Sequence, residues 1–262
     1  MRRADFEALM QDQSIGLVVD PVASSERLVV AFGGIASMLD GVPPFEFLSA
    51  LDSLSARVAF VRDLDQCWYQ RGVRGVSETL EGTTAALCAL VDESGCSRLV
   101  TLGTSAGGFA ALYFGCRLAA DAVLAFGPQT FTSHRLRWLY RDHRWGPEIA
   151  NIDRLDQTAV CRDLLPVVRR SARSPHATKI EVHYGDRVRV DRVHARRLRR
   201  HSNVRLFAHD AGHNVAKVLR DQGELQAIMR RALEPTATTR LSISTPDELA
   251  RRASSALDDG SE

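Results

Sequence analysis

The sequence lacks several features that mark specialised classes of protein. No run of about 18 apolar residues occurs, so we expect no membrane-spanning helix. The basic N-terminus is not followed by the apolar segment of a secretory signal. The five cysteines are odd in number and lack the paired spacing of a metal site, which favours free thiols in a reducing environment. These absences predict a cytoplasmic protein without a metal site.

Two phosphate-binding motifs are also missing. The glycine-containing segment 103–108 is not followed by Lys-Ser or Lys-Thr, which a P-loop requires. Its spacing also differs from the G-x-G-x-x-G fingerprint of dinucleotide-binding folds. The segment therefore carries neither nucleotide-binding motif. We predict a small-molecule substrate, with no organic cofactor and no nucleic-acid partner.

Lysine is nearly absent, since Lys179 and Lys217 are the two lysines among 34 basic residues. Between residues 162 and 201 there are twelve basic residues against four acidic ones. Arginine suits carboxylate and phosphate groups, so an anionic substrate or partner is one interpretation. The interpretation that we favour is a solvated helix face, because charge supports arguments about association and not about fold.

The chain of 262 residues is long enough for one large domain with a sizeable core. Short apolar runs alternate with helical patterns, which indicates a mostly parallel sheet covered by helices on both faces. The first two strands look like a hairpin that opens the sheet. Strands are predicted at residues 14–22, 27–34, 56–62, 97–101, 122–126, 179–184 and 204–208, and helices at 77–93, 192–200 and 215–233.

Two segments depart from this alternation. Residues 129–178 contain no clear strand, so we predict a helical insertion that forms a small cap on a domain spanning residues 1–235. Residues 236–262 are polar, and we expect a flexible tail there with one short helix at 249–257.

One segment carries a chemical signature. The apolar run at 99–102 leads into Gly103-Thr104-Ser105-Ala106-Gly107, and an alanine-rich helical pattern follows. A strand, a Gly-x-Ser-x-Gly turn and a helix form the nucleophile elbow. The small residues let strand and helix approach closely, and the amide of Ala106 would point at a carbonyl oxygen under attack. Ser105 is therefore the predicted nucleophile.

These residues resemble the α/β-hydrolase superfamily over residues 14–233. The resemblance implies an α/β-hydrolase fold and a serine nucleophile that forms an acyl-enzyme. The segment Phe32-Gly33-Gly34-Ile35 is similar to the His-Gly-Gly segment of that superfamily, with Phe32 in the histidine position. The amide of Gly34 or Ile35 would then be the second oxyanion donor. A plain turn at the end of a strand is the alternative.

The superfamily places its catalytic histidine after the last strand. Ala211-Gly212-His213 follows the strand predicted at 204–208 and resembles this loop, which makes His213 the candidate base. His209 is the spare candidate. His183 falls inside a predicted strand, so we expect it to be a packed or surface residue.

The acid should lie in the loop after the preceding strand. This loop offers Asp186 and Asp191, and its spacing departs from the usual Gly-x-x-Asp. Asp191 falls at a predicted helix start, where it could serve only as an N-cap. We prefer Asp186 and keep Asp191 as the alternative.

The third predicted strand is followed by Asp63, Trp68 and Tyr69, which could line the mouth of a pocket, although surface packing is the simpler interpretation. The resemblance implies a serine hydrolase that cleaves an ester or thioester. Two other functions stay open. One is an acyltransferase, for example for saccharide O-acetylation, and the other is a non-catalytic protein that binds an anionic partner. Fold analogy names no substrate.

Overall fold

The computed structural model describes residues 7–9, 11–12, 14–20, 25–35 and 45–235. A seven-stranded sheet forms its centre, with the strand order β1-β3-β2-β4-β5-β6-β7. The strands are β1 (Leu17–Val19), β2 (Arg27–Phe32), β3 (Arg57–Val61), β4 (Arg98–Thr104), β5 (Ala122–Phe126), β6 (Lys179–Gly185) and β7 (Val204–His209).

The sheet is parallel except at one edge. β1 pairs antiparallel with β3, whereas all other neighbours are parallel. The expected mostly parallel sheet is confirmed, but the predicted hairpin of the first two strands is wrong. The near-continuous apolar run of β2 suits a strand that is covered on both faces, so it lies between β3 and β4. The short β1 remains at the edge, beside β3.

In the described residues, nine named helices lie against or beside the sheet. Gly223, with a φ of 77°, separates the last two, where one continuous helix was predicted. The helices are α1 (Leu48–Leu51), α2 (Leu80–Ser94), α3 (Ser105–Arg117), α4 (His134–Tyr140), α5 (Gly146–Asp153), α6 (Leu165–Arg173), α7 (Arg189–Arg197), α8 (Val215–Asp221) and α9 (Leu225–Leu233).

Alternate residues of each strand face opposite cores. Leu28 and Val30 of β2 join the core beneath α2, α3 and α6, whereas Val29 and Ala31 join the core beneath α8 and α9. The glycines and alanines of α3 are almost entirely buried, so this helix lies against the centre of the sheet. The start of α3, which is also the end of β4, therefore sits at the middle of the molecule.

The helices α4, α5 and α6 lie between β5 and β6, in the region of the predicted insertion. An isolated bridge between Phe131 and Asp163 closes the part of this region that contains α4 and α5. α6 also packs against α3. The predicted tail at 236–262, with its helix at 249–257, lies outside the described residues. None of the helices in the described part of the chain has the length and apolarity that a membrane crossing requires.

Candidate active site

Ser105 lies on a strained turn between β4 and α3. Its φ is 53°, in the left-handed region that residues other than glycine rarely adopt. Glycines make the turn possible, since a Cβ on Gly103 would come within 2.2 Å of the carbonyl oxygen of Gly107. A Cβ on Gly107 would lie 2.2 Å from the carbonyl oxygen of Phe32. The local sequence therefore forces the serine to the end of its strand.

A chain of hydrogen bonds joins Ser105 to His213 and Asp191. The Nε2 atom of His213 lies 3.0 Å from Oγ of Ser105, and its Nδ1 atom lies 2.8 Å from Oδ2 of Asp191. His213 follows β7, and Asp191 lies in the first turn of α7, after β6. All three residues follow the carboxyl ends of parallel strands, which meet at one edge of the sheet.

Asp186, the acid that we preferred from the sequence, lies outside this arrangement. Its side chain is half exposed, and its nearest cations are Arg192 and Arg196, at 3.9 and 4.0 Å. The chain turns directly after β6, and α7 then begins at Arg189 and points Asp191 back towards His213. The preference for Asp186 therefore disagrees with the geometry. Asp191 is not an N-cap either, because Val188 occupies that position.

Asp191 is almost completely buried and has two partners. Oδ2 accepts from His213, and Oδ1 accepts from Nη1 of Arg144 at 2.9 Å. Burial alone would raise the pKa of Asp191, but its hydrogen bonds and ion pairs with His213 and Arg144 outweigh burial and lower it. The carboxylate therefore stays ionised across the neutral range.

One predicted oxyanion donor is already engaged. The amide of Gly34 donates to Oε1 of Glu46 at 3.1 Å, and Thr104 donates its hydroxyl to the other oxygen of the same carboxylate. Desolvation raises the pKa of Glu46, and these two hydrogen bonds oppose the rise. Ala106 is the second residue of α3, so its amide has no carbonyl partner within the helix. Ala106 and Ile35 remain the candidate donors.

A cavity of about 630 Å³ opens beside Ser105 and His213. Ile35 and Glu46 line it on one side, and Trp145 of the insertion lines it on another. The indole N–H of Trp145 is buried and has no hydrogen-bond partner among the described residues. Lys217 also lines the cavity, although it pairs with Asp221 at 2.5 Å. The cavity is thus of a size that suits a small substrate.

No family model matches the chain, and no curated protein matches its sequence significantly. Solved structures nevertheless align with most of it. MGS-MChE2, an α/β hydrolase from the metagenome of lagoon sediments at Mar Chica, Morocco, matches with a TM-score of 0.53 and 15% identity. The match covers 84% of this chain and 95% of that one. The chain has the α/β-hydrolase fold.

Two further matched structures differ in the activities that their names state. FphF, a fluorophosphonate-binding serine hydrolase of Staphylococcus aureus, matches with a TM-score of 0.53 and 11% identity over 86% of this chain and 96% of its own. The capsule O-acetyltransferase of Neisseria meningitidis serogroup A has a TM-score of 0.61 and 11% identity over 82% and 90%. These identities carry the fold and no substrate.

The structure places the remaining candidates elsewhere in this α/β-hydrolase fold. His209 lies with its Nε2 atom 3.0 Å from Nδ1 of His183, so the spare histidine pairs with its neighbour on β6. Asp63, Trp68 and Tyr69 are buried in the core and do not line the cavity. The backbone amides of Cys67 and Tyr69 donate to the Asp63 carboxylate. These hydrogen bonds satisfy the carboxylate within the core.

Three residues at this site have no recognisable signal in the sequence. Arg144 and Trp145 lie in the insertion among many other charged and aromatic residues, and no spacing distinguishes them. Glu46 lies outside every predicted element. Within the part of the chain that the structure describes, no group of three or more His, Cys, Asp or Glu residues is arranged to hold a metal ion.

Proposed function

We propose that this protein is a serine hydrolase that cleaves an ester or thioester through an acyl-enzyme on Ser105. The observation that carries the proposal is the unbroken chain of hydrogen bonds from Ser105 through His213 to Asp191. The strained φ of Ser105 adds support, because such strain concentrates at catalytic turns.

The chemistry follows from the two ring nitrogens of His213. As Oγ of Ser105 attacks the carbonyl carbon, Nε2 takes the hydroxyl proton, and Asp191 stabilises the imidazolium through Nδ1. The proton then passes to the leaving alcohol or thiol, and the acyl group remains on Oγ. Water attacks the acyl-enzyme with the same base, which releases the acid and restores Ser105.

The oxyanion needs two donors aimed at one point. Ala106 supplies one at the start of α3, where the helix dipole also favours negative charge. Ile35 is the second in this proposal, because the amide of Gly34 is engaged by Glu46.

An acyltransferase is the second candidate, in which a saccharide hydroxyl replaces water as the acceptor. The candidate comes from the match to the capsule O-acetyltransferase, which shares the fold at 11% identity. Lys217 and Arg220 at the cavity would suit an anionic or saccharide-linked acyl substrate.

Labelling by a fluorophosphonate probe tests the proposal. We expect fast labelling of the wild type and none of Ser105→Ala or His213→Ala, with all three folded by circular dichroism. A folded wild type that stays unlabelled and does not hydrolyse p-nitrophenyl acetate contradicts an activated serine. Adding saccharide acceptors and measuring acetyl-saccharide against free acetate then distinguishes transfer from hydrolysis.

A further inference from the structure

We propose that Arg144 of the insertion is a positioning residue, whose guanidinium orients Asp191 against His213 and so holds the imidazole in line with Ser105. This inference rests on the proposed function, and it concerns a residue outside the three that the elbow and the strand ends supply. Arg144 makes no contact with Ser105 in the structure, so its role is exerted through Asp191.

The contact fixes the plane of the Asp191 carboxylate. Nη1 of Arg144 donates to Oδ1 at 2.9 Å, and the ring N–H of His213 donates to Oδ2 at 2.8 Å. Each oxygen thus has its own partner, so rotation about the Cβ–Cγ bond would weaken both bonds at once. The imidazole is thereby held in the tautomer that leaves Nε2 free to accept the proton of Ser105.

Arg144 is itself held from the opposite side. Its Nε and Nη2 atoms donate to the two oxygens of Asp142 at 2.9 and 3.1 Å, which is the paired geometry that arginine makes with a carboxylate. Asp142 also accepts from Nε2 of His194 at 3.0 Å. The bonds to Asp142 therefore fix the orientation in which the guanidinium faces Asp191.

Asp142 and Arg144 form a hydrogen-bonded ring with Asp191 and His194 of α7. Asp191 and His194 lie three residues apart on that helix and so share one face. Arg144 and Asp142 come from the segment between α4 and α5 and bridge these two positions. These hydrogen bonds join the insertion to α7, the helix that carries Asp191. They restrain the segment between α4 and α5, which contains no strand.

The charge of Arg144 also bears on His213. Asp191 faces His213 directly, Arg144 stands behind that carboxylate, and Glu46, Lys217 and Arg220 line the same cavity. The cation behind Asp191 helps to lower the pKa of that carboxyl, which keeps an ionised acceptor opposite the ring N–H of His213. Loss of this cation should therefore leave the Asp191 carboxylate less firmly held against His213.

The test compares Arg144→Gln with a matched control, Arg197→Gln. Arg197 makes an equally regular two-bond pair with Asp163, at 2.9 and 2.8 Å, and also links α7 to the insertion, but it does not touch Asp191. Arg144→Lys keeps the charge and loses the paired geometry. The downfield NMR signal of the His213 ring N–H, assigned by its loss in His213→Ala, reports the hydrogen bond to Asp191, and kcat and KM for p-nitrophenyl acetate are measured beside it.

In Arg144→Gln we expect the downfield His213 signal to broaden or move upfield and kcat to fall roughly tenfold to a hundredfold, with KM little changed. Arg144→Lys should keep the signal near its wild-type position and recover part of kcat. Arg197→Gln should change neither. An unchanged His213 signal in Arg144→Gln, or equal changes in Arg197→Gln, overturns the inference. Because the NMR signal needs no turnover, it stands apart from the labelling result that decides the proposed function.

Discussion

The two histidine–aspartate pairs that Arg144 connects share their chemistry and differ in their surroundings. His213 bonds Asp191 through Nδ1 and presents Nε2 to Ser105 at the cavity. His194 bonds Asp142 through Nε2, and its Nδ1 accepts from the backbone amide of Thr130 at 2.9 Å. One imidazole has a nitrogen left for a nucleophile, whereas the other has both nitrogens engaged.

Burial separates the pairs further. The side chain of His213 is 26% exposed, and that of His194 is 1% exposed. Burial lowers the pKa of His194, although Asp142 opposes this, so the pair is a neutral imidazole beside an ionised carboxylate. A histidine–aspartate pair therefore becomes a candidate base only where its second nitrogen and a cavity meet. The pair of His194 and Asp142 is a structural support.

The largest expected effect distinguishes the two histidines by activity. His213→Ala should lower kcat/KM by about 10³-fold or more, because the base is lost. His194→Ala should lower it by roughly tenfold or less, through the ring that holds Arg144. Steady-state hydrolysis of p-nitrophenyl acetate measures both. Equal losses of kcat/KM in the two folded variants would contradict the distinction between His213 as base and His194 as structural support.

Asp191→Asn should have the next largest effect, a loss of kcat of about 10²- to 10⁴-fold. An amide cannot stabilise the imidazolium, and its NH₂ group favours the wrong tautomer of His213. The enzyme should remain folded because the side chain keeps its shape. Activity close to wild type in this variant would remove Asp191 from the proposed triad.

The free energy of unfolding should fall more in His194→Ala than in His213→Ala, which is the reverse of the order expected for activity. His194→Ala leaves Asp142 and the Thr130 amide buried without one partner each, so the free energy of unfolding should fall by about 2–4 kcal/mol. Urea denaturation measures it, and His194→Gln, which retains one acceptor and one donor, should lose less. His213→Ala should change it by about 1 kcal/mol or less, because its ring borders the cavity. A greater loss in His213→Ala would contradict this assignment.

A third buried aspartate, Asp63, shows how the pKa of a buried carboxyl changes when side-chain partners are replaced by backbone amides. Asp63 has backbone amides as its hydrogen-bond donors, and burial raises its pKa to about 6 despite these bonds. Asp142 accepts from His194 and from Arg144, and these two partners lower its pKa although burial opposes this. A raised carboxyl pKa means that the folded state holds the proton more tightly than the unfolded state.

The contribution of Asp63 to stability should therefore fall as pH rises from about 4 to 6, by about 2 kcal/mol between pH 4.5 and 7. In Asp63→Asn this decrease should be absent, because no proton is released there. The difference between urea denaturation at the two pH values, compared with wild type, checks it. An identical pH dependence in both proteins would mean that Asp63 does not titrate in this range.

Asp186→Asn should have the smallest effect, less than about twofold in kcat/KM and within about 0.5 kcal/mol in stability. Its carboxylate is half exposed, and its closest cations lie near 4 Å. Measured beside Asp191→Asn, it tests directly which of the two aspartates supports His213. A loss that matches that of Asp191→Asn would restore the preference derived from the sequence.

The residues that the sequence could locate are those whose signals are local. The elbow around Ser105 is one strand, one turn and one helix, so its glycines and its serine stand within a few residues of each other. His213 follows a strand at once, and strand ends meet at one edge of a parallel sheet whatever lies between them in the chain. The sheet itself was predictable because buried parallel strands are near-continuous apolar runs.

The acid could not be assigned in this way. Asp186 and Asp191 are five residues apart in one loop and helix start, and the choice depends on the direction in which the first turn of α7 points. That direction is decided by packing against the insertion and by the Arg144 bond, both of which join residues far apart in the sequence. The predicted pairing of the first two strands was wrong for a similar reason, because β1 pairs with β3, which lies about forty residues further along the chain.

The sequence by itself determined the alternation of strands and helices, the strained serine turn and the place of a histidine after the last strand. These follow from short-range sterics and from apolar periodicity. Tertiary structure alone decided which aspartate meets His213, that Glu46 engages the amide of Gly34, and that Arg144 joins two histidine–aspartate pairs. Such contacts join residues between 12 and 52 positions apart in the chain, which no local pattern encodes.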